Sequence, residues 1–287
     1  MKVRVLLTGA SGFIGTYLSS SLNASKILLL EVTRSITNGY YCDIKDSKQV
    51  DLMLSQFCPT HLIHLAWCSG GGYAMDPLNY ESLNSSMYLV DRFYKSGGHR
   101  FVGIGTCFEY AIGHKICSEY KTPTVPATFY GQCKLSLSEY VKASACFYGK
   151  SYAWCRLFYV TGCGDAMHKF IPSVCNSFLH NKEFTVNNPS TRLDYIDVRD
   201  VANAIKRVTL SDYEGIVNIG SGKGFKLGVI ARLLQSKINR GKIYFPENEA
   251  ASIELVADIS VLQNAIHFKP QYNINKTLSA YIAGLGF

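Results

Sequence analysis

The chain has 287 residues, of which 47% are apolar, 17% charged and 13% aromatic, enough for one large domain or two modest ones with a buried core. The formal net charge of +8 is spread thinly, with no three consecutive Lys or Arg. That argues against a nucleic-acid-binding stripe and leaves either a pocket for polyanionic small molecules or a solvated basic surface. No apolar run reaches the ~18 residues of a membrane span, and the apolar stretch in "MKVRVLLTGA" is too short for a secretory signal, so a cytoplasmic location is expected.

In chain order, residues 3–9 ("VRVLLTG") read as a buried strand and 13–23 as a helix. Further strands are predicted over 26–33, 61–67, 100–106 and 152–160, with a helix starting near Tyr130. Strands alternating with helices imply right-handed crossovers and an α/β fold, a doubly wound parallel (Rossmann) sheet covered on both faces. After Gly162 the rhythm changes. Residues 163–189 read as loop, helix and short strand, and 193–208 as a strand and helix returning to the main sheet. Residues 1–162 and 190–220 are therefore assigned to a dinucleotide-binding domain. Residues 163–189 and 221–287 are assigned to a smaller C-terminal substrate-binding domain.

The first strand ends in "TGASGFIG", with Gly9, Gly12 and Gly15 in a G-x-x-G-x-x-G frame opening a helix. Such a turn lets backbone amides approach a pyrophosphate at a helix N-terminus. Beyond the second strand, Thr33 is followed by Arg34, while Glu31 lies inside the strand. A basic residue there suits a ribose 2′-phosphate, so NADP(H) is favoured, held by Arg34 and Ser11; a register shift of two residues would put Glu31 on the ribose and select NAD(H). "GSGKG" (220–224) fails the P-loop pattern and reads as a strand-to-helix turn.

Tyr130 and Lys134 lie one helical turn apart, a spacing repeated at Tyr41/Lys45 and Tyr272/Lys276. The first copy differs in its setting, because Thr106 ends the preceding strand and ligands of open α/β sheets bind beyond strand carboxyl ends. The ten cysteines include no C-x-x-C pair, and His61 and His64 point to opposite faces of a strand, so no metal site is expected.

With these motifs the chain resembles the extended short-chain dehydrogenase/reductases acting on nucleotide sugars, the NAD-dependent epimerase/dehydratase family. "TGASGFIG" matches its phosphate loop, including Phe13 and Ile14, and "YGQCK" its catalytic Y-x-x-x-K. "CDIKD" resembles the segment whose Asp43 and Ile44 meet the adenine, and "LAW" the strand end carrying Leu65 and Ala66. "RLDYIDVRDVANAI" resembles the family's R-D-Y-x-x-V-x-D-V-A, although Leu193 separates Arg192 from the Asp-Tyr pair. The resemblance implies that Tyr130 exchanges a proton with the sugar oxygen and that Thr106 shares its hydrogen bond. Lys134 would lower the phenol pKa and bind the nicotinamide ribose, with Tyr159 and Val160 beside the cofactor. Thr106, Cys107, Phe108, Glu109 and Arg192 are the candidate substrate contacts, and Glu109 could instead bond only to nearby backbone.

Dehydratases of the family resemble T-D-E-x-Y; here Cys107 and Phe108 replace the acid pair. GDP-fucose synthases resemble S-S-C-x-Y; here Phe108 stands at the cysteine position. "GTCFEY" and "RLFYVTG" are most similar to 4-ketoreductases of deoxysugar and O-antigen-type pathways, such as CDP-abequose and CDP-paratose synthases. The expected activity is NAD(P)H-dependent reduction of an NDP-4-keto-(di)deoxyhexose, with an NAD-dependent 4-epimerase as the alternative and a homodimer as the assembly. A non-catalytic dinucleotide-binding protein would be expected to have lost Tyr, Lys or the hydroxyl residue, and all three are present.

Overall fold

The computed structural model describes residues 3–25, 27–34, 39–68, 72–247 and 252–286. Its first strand is Arg4–Thr8 (β1), in which Val5, Leu6 and Leu7 are wholly buried because both faces of the sheet are covered. Helix α1 (Phe13–Asn23) follows, then β2 (Leu28–Thr33), β3 (Tyr40–Tyr41), α2 (Ser47–Phe57) and β4 (His61–His64). The Asp46 carboxylate caps α2 by accepting from the Lys48 and Gln49 amides. A 3₁₀ turn (Tyr73–Met75) leads into α3 (Leu78–Lys95), then β5 (Arg100–Thr106), a second 3₁₀ turn (Cys107–Glu109), β6 (Ile116–Cys117) and α4 (Phe129–Tyr148). The strand predicted over 152–160 breaks at Phe158 into β7 (Ser151–Leu157) and β8 (Tyr159–Thr161).

The remainder comprises α5 (Phe170–Leu179), β9 (Glu183–Thr185), β10 (Arg192–Asp197), α6 (Val198–Leu210), β11 (Gly215–Ile219), β12 (Gly224–Lys226), α7 (Leu227–Ile238), β13 (Lys242–Tyr244), β14 (Glu254–Ala257), α8 (Ser260–Asn264) and α9 (Ile274–Gly284). The main sheet has seven parallel strands in the order β11-β7-β5-β4-β1-β2-β3. The expected doubly wound α/β fold is therefore present. One core, including Leu18, Leu22, Val201 and Ile205 of α1 and α6, covers one face. A second, from α2, α3 and α4, covers the other.

Two expectations are corrected by the topology. β10 does not return to the main sheet; it pairs with β8, β12 and β14 in a second, five-stranded sheet, and β11 closes the main sheet instead. "GSGKG" links β11 to β12 rather than a strand to a helix. Its shape is set by the buried Asp194 carboxylate, which accepts from the Ser221 amide and hydroxyl and from the Gly222 amide. The strand predicted from residue 26 begins at Leu28; Lys26 and Ser35 lie outside the described residues.

Candidate active site

β1 and β4 are neighbours whose following loops meet at the carboxyl edge of the sheet. The Thr8 hydroxyl is within hydrogen-bonding distance of His64 Nδ1 (2.7 Å) and accepts from the Ala66 amide (3.3 Å). Gly9 has φ of +71°, and a Cβ there would stand 2.8 Å from Ala66 N, so the turn requires glycine both for its backbone and for the approach of Leu65–Ala66. Ser11 is exposed in this turn, Gly12 caps α1, and Phe13 and Ile14 open the helix with Gly15 buried one turn in. The α1 N-terminus thus faces the crevice between β1 and β4, a ready site for an anion.

Arg34 is exposed immediately after β2. The Glu31 carboxylate accepts from Asn23 Nδ2 (3.2 Å) at the far end of α1. Eleven helical residues separate that end from Gly12 by roughly 16 Å, so Glu31 points away from the phosphate turn. The Asp43 carboxylate folds back on the Lys45 amide, and Ile44 packs against the core beneath α2 and α3.

Tyr130, Lys134 and Thr106 are brought together as expected. Thr128 caps α4 by accepting from the Gly131 amide, which starts the helix at Phe129 and places Tyr130 in its first turn. A Cβ on Gly131 would lie 2.4 Å from the Phe108 carbonyl oxygen, so this glycine lets α4 press against the 107–109 turn that follows Thr106. Burial raises the Tyr130 pKa above that of a free phenol, helped by Tyr73 and Glu109, while a hydrogen bond with Thr106 pulls it back. The expected acidification by Lys134 is not what the geometry gives. Lys134 Nζ donates to the Ile104 carbonyl (2.9 Å) and stands 3.7 Å over the Trp67 ring, but 5.9 Å from the Tyr130 ring. Burial pushes this lysine down to about 7, with Glu109 acting in the opposite direction.

Aromatic rings surround the phenol. Tyr73, Trp67 and Phe108 lie edge-on to Tyr130 at centroid distances of 5.0, 6.4 and 6.5 Å. Phe108 continues to Tyr159 (6.0 Å), and Tyr159 to Tyr195 (5.5 Å). Val160, the next residue of β8, packs against the main core. Trp67, Tyr73 and Tyr195 were missed in the sequence as site residues. Buried Asn79 joins two of them, accepting from Trp67 Nε1 (2.8 Å) and donating to the Tyr73 carbonyl (2.6 Å). Lys169 was missed as well; its Nζ lies 5.5 Å over the Phe13 ring, beside the phosphate turn. The signal for Trp67 was its place one residue after "LA" at a strand's carboxyl end. Tyr73 and Lys169 had no local signal.

Three candidate substrate contacts are placed differently. Cys107 is buried in the core of the second sheet, and burial raises its thiol pKa. Glu109 is fully buried and turned inward, accepting from the Thr106 amide (2.8 Å), from Trp154 Nε1 (3.0 Å) and from Arg156 Nε (2.7 Å). Of the two readings of Glu109, the bond to nearby backbone is the one observed. Arg192 is exposed at the start of β10, engaged by Glu254 (2.9 Å) and the Gly224 carbonyl (3.0 Å), and is not in the Tyr130 group. Only Thr106 and Phe108 of that set border Tyr130. No cluster of three or more potential metal ligands occurs among the described residues.

A phosphate turn at the switch point, a hydroxyl ending β5 and a Tyr-x-x-x-Lys pair entering α4 define a site of the short-chain dehydrogenase/reductase type. The chain belongs to the NAD dependent epimerase/dehydratase family, whose model matches residues 5–220. It is similar to the dTDP-6-deoxy-L-talose 4-dehydrogenase (NAD(+)) of Aggregatibacter actinomycetemcomitans, with 26% identity over 77% of this chain and 85% of that protein. Among solved structures, the UDP-glucose 4-epimerase of Thermotoga maritima with UDP-glucose superposes with a TM-score of 0.87 at 19% identity, covering 99% of both chains. RMD from Pseudomonas aeruginosa complexed with NADPH gives a TM-score of 0.86 at 20% identity, covering 99% of this chain and 98% of that one.

Proposed function

We propose that this protein reduces the 4-keto group of a nucleotide-linked deoxyhexose, using a nicotinamide dinucleotide with NADPH favoured. The observation that carries the reading is the placement of the Tyr130 phenol beside Thr106 at the carboxyl end of β5, with Trp67, Tyr73 and Phe108 edge-on to its ring. A phenol positioned beside a second hydroxyl can donate its proton to an oxygen gaining negative charge. Phe108, where an acidic residue would serve dehydration, offers an apolar face to a deoxygenated or methyl-bearing ring position. The relative that acts as a dTDP-6-deoxy-L-talose 4-dehydrogenase points to the same carbon and the same sugar class.

The dinucleotide would be held by the Gly9–Gly15 turn, with Arg34 and Ser11 toward a 2′-phosphate and Asp43–Ile44 toward the adenine. Leu65, Ala66, Tyr159 and Val160 would wall the nicotinamide half. The turn fits the group, since the α1 N-terminus is open beside an exposed Ser11 and Arg34 stands exposed directly after β2. When bound, the cofactor supplies the hydride. The protein's own part is to orient the carbonyl between Thr106 and Tyr130, to deliver the phenolic proton to the oxygen as the C–H bond forms, and to place the Lys134 ammonium nearby. We assign residues 163–189 and 221–287, with Arg192 at their border, to the nucleotide and diphosphate of the substrate. Among the described residues no helix is long and apolar enough to cross a membrane. A cytoplasmic homodimer, formed through α3 and α4, completes the reading.

A 4-epimerase would use the same three residues, and the likeness to UDP-glucose 4-epimerases favours that second reading. The two are separated by incubating the protein and NADPH with a panel of NDP-4-keto-6-deoxy and NDP-4-keto-3,6-dideoxy sugars while following nicotinamide absorbance. Stoichiometric oxidation supports the reductase. Interconversion of NDP-hexoses without added cofactor, and no oxidation with any member of the panel, establishes the epimerase instead.

A further inference from the structure

We propose that Glu109 is a positioning residue for Thr106, and that the buried Glu109–Arg156 pair serves the geometry of the site rather than the stability of the fold. Glu109 and Arg156 are 0% and 1% exposed and meet at 2.7 Å. A buried ion pair roughly offsets its own desolvation cost, and replacing both partners with apolar groups is commonly neutral or stabilising. What an apolar pair could not supply is the acceptor for the Thr106 amide. Glu109 Oε1 takes that N–H at 2.8 Å and Trp154 Nε1 at 3.0 Å, while Oε2 faces Arg156 Nε.

The amide in question belongs to the last residue of β5, where the strand gives way to the 107–109 turn. The Thr106 hydroxyl accepts from the Phe108 amide (3.3 Å) in the same turn, so the middle and the last residue of the turn are both tied back to Thr106. Without Glu109 the turn would keep the Tyr110 amide on the Cys107 carbonyl (3.2 Å), but its tie to Thr106 would be that one long bond. Phe108, which faces Tyr130, would move with it. The anchor is itself linked through β7 and β11 to the second sheet. Arg156 lies 4.6 Å over the Tyr110 ring, Tyr110 donates to Asn218 Oδ1 (2.7 Å), and Asn218 donates to the Cys117 carbonyl (2.8 Å) of the second sheet.

The test compares two charge-free pairs. E109L/R156L removes both charges and the acceptor; E109Q/R156L removes both charges and keeps an amide oxygen where Oε1 stands. The expected result is that E109L/R156L still folds, with a Tm lowered by several degrees because the Thr106 amide and Trp154 Nε1 lose their acceptor, and loses about 100-fold in kcat, as a displaced reacting group does, with little change in either KM. E109Q/R156L recovers most of that loss. Hydrogen exchange at the Thr106 amide, read by NMR, speeds about tenfold or more in the first variant and stays slow in the second. The kinetic arm rests on the reductase reading; the exchange arm needs no substrate, so a protein that turns over none of the panel still tests the anchor. Wild-type kcat or an equally slow Thr106 amide in E109L/R156L overturns the proposal. If that variant does not fold, loss of kcat in E109Q/R156L despite a protected Thr106 amide overturns it as well.

Discussion

Replacing Lys134 with methionine is expected to stabilise the protein while removing activity, and to do so by an amount that depends on pH. The lysine is 3% exposed, and burial lowers its pKa from 10.5 to about 7. Below about 7 the folded and unfolded chains both carry the proton, and holding the buried charge costs roughly 5 kcal/mol at ~1.36 kcal/mol per decade of pKa. Between about 7 and 10.5 the unfolded chain binds more protons than the folded one, so this group makes wild-type stability rise with pH. At pH 9 the remaining cost is roughly 2 kcal/mol, that of deprotonating the lysine on folding. Methionine keeps the length of the side chain and leaves the Ile104 carbonyl without its donor, an offset of about 1 kcal/mol that does not vary with pH. The advantage of K134M over wild type should therefore shrink by about 3 kcal/mol between pH 6 and pH 9. With an unfolding entropy of ~2.1 cal/mol/K per residue, that is about 5 °C in the Tm difference for a chain of this length. Thermal melts of both proteins at the two pH values decide it. A mutant that is less stable at pH 6, or a Tm difference that is equal at both pH values, refutes the account of a lysine held against its desolvation.

Tyr130→Phe should cut turnover by ~10²–10⁴-fold while NADPH binding, followed by nicotinamide fluorescence, is unchanged; equal turnover would identify another proton donor. Arg34→Ala should raise the KM for NADPH by about tenfold or more, the worth of a charge-assisted hydrogen bond, and leave the KM for NADH unaltered. A parallel rise for both cofactors would remove Arg34 from the 2′-phosphate. Trp67→Leu takes the ring from beneath the Lys134 ammonium, a contact worth ~0.5–2 kcal/mol, so the alkaline fall in kcat should begin about one pH unit lower. Trp67→Phe should restore part of that shift, and an unmoved profile would show that the ring does not hold the charge.

Much of the architecture was legible because it is written in local pattern. The run "VRVLLTG" into "ASGFIG" contains a strand, a turn needing φ > 0 and a helix start, and all of it lies within 13 consecutive residues, 3–15. Tyr130 and Thr106 were legible for the same reason, each being at the end of an element whose boundary was clear. Sheet membership was not. β10 and β11 are both short, largely buried strands, and which of them joins the main sheet depends on long-range pairing with β7 or β8 that no local alternation encodes. The direction of a side chain at a strand end was equally hidden. Glu109 has the composition of a substrate ligand, yet Arg156 and Trp154, 47 and 45 residues away in sequence, draw it inward. Lys134 illustrates the converse. Its helical spacing pointed to Tyr130, but the Trp67 face is 3.7 Å away and takes the ammonium.

The break at Phe158 has a consequence for how the site can be changed. The chain leaves the main sheet at Leu157 and is in the second sheet by Tyr159, with Phe158 buried and its amide donating to the Ile219 carbonyl (3.0 Å). One residue is the whole length of the crossing, so it contains no slack. An insertion there would reverse the alternation of Tyr159, Val160 and Thr161, turning Tyr159 from Phe108 toward the core and Val160 out of it. The aromatic wall can therefore be retuned by exchanging side chains but not by lengthening the chain that carries it. New substrate shapes must be accommodated by composition at Tyr159 and Phe108, and insertions belong in loops that do not join the two sheets.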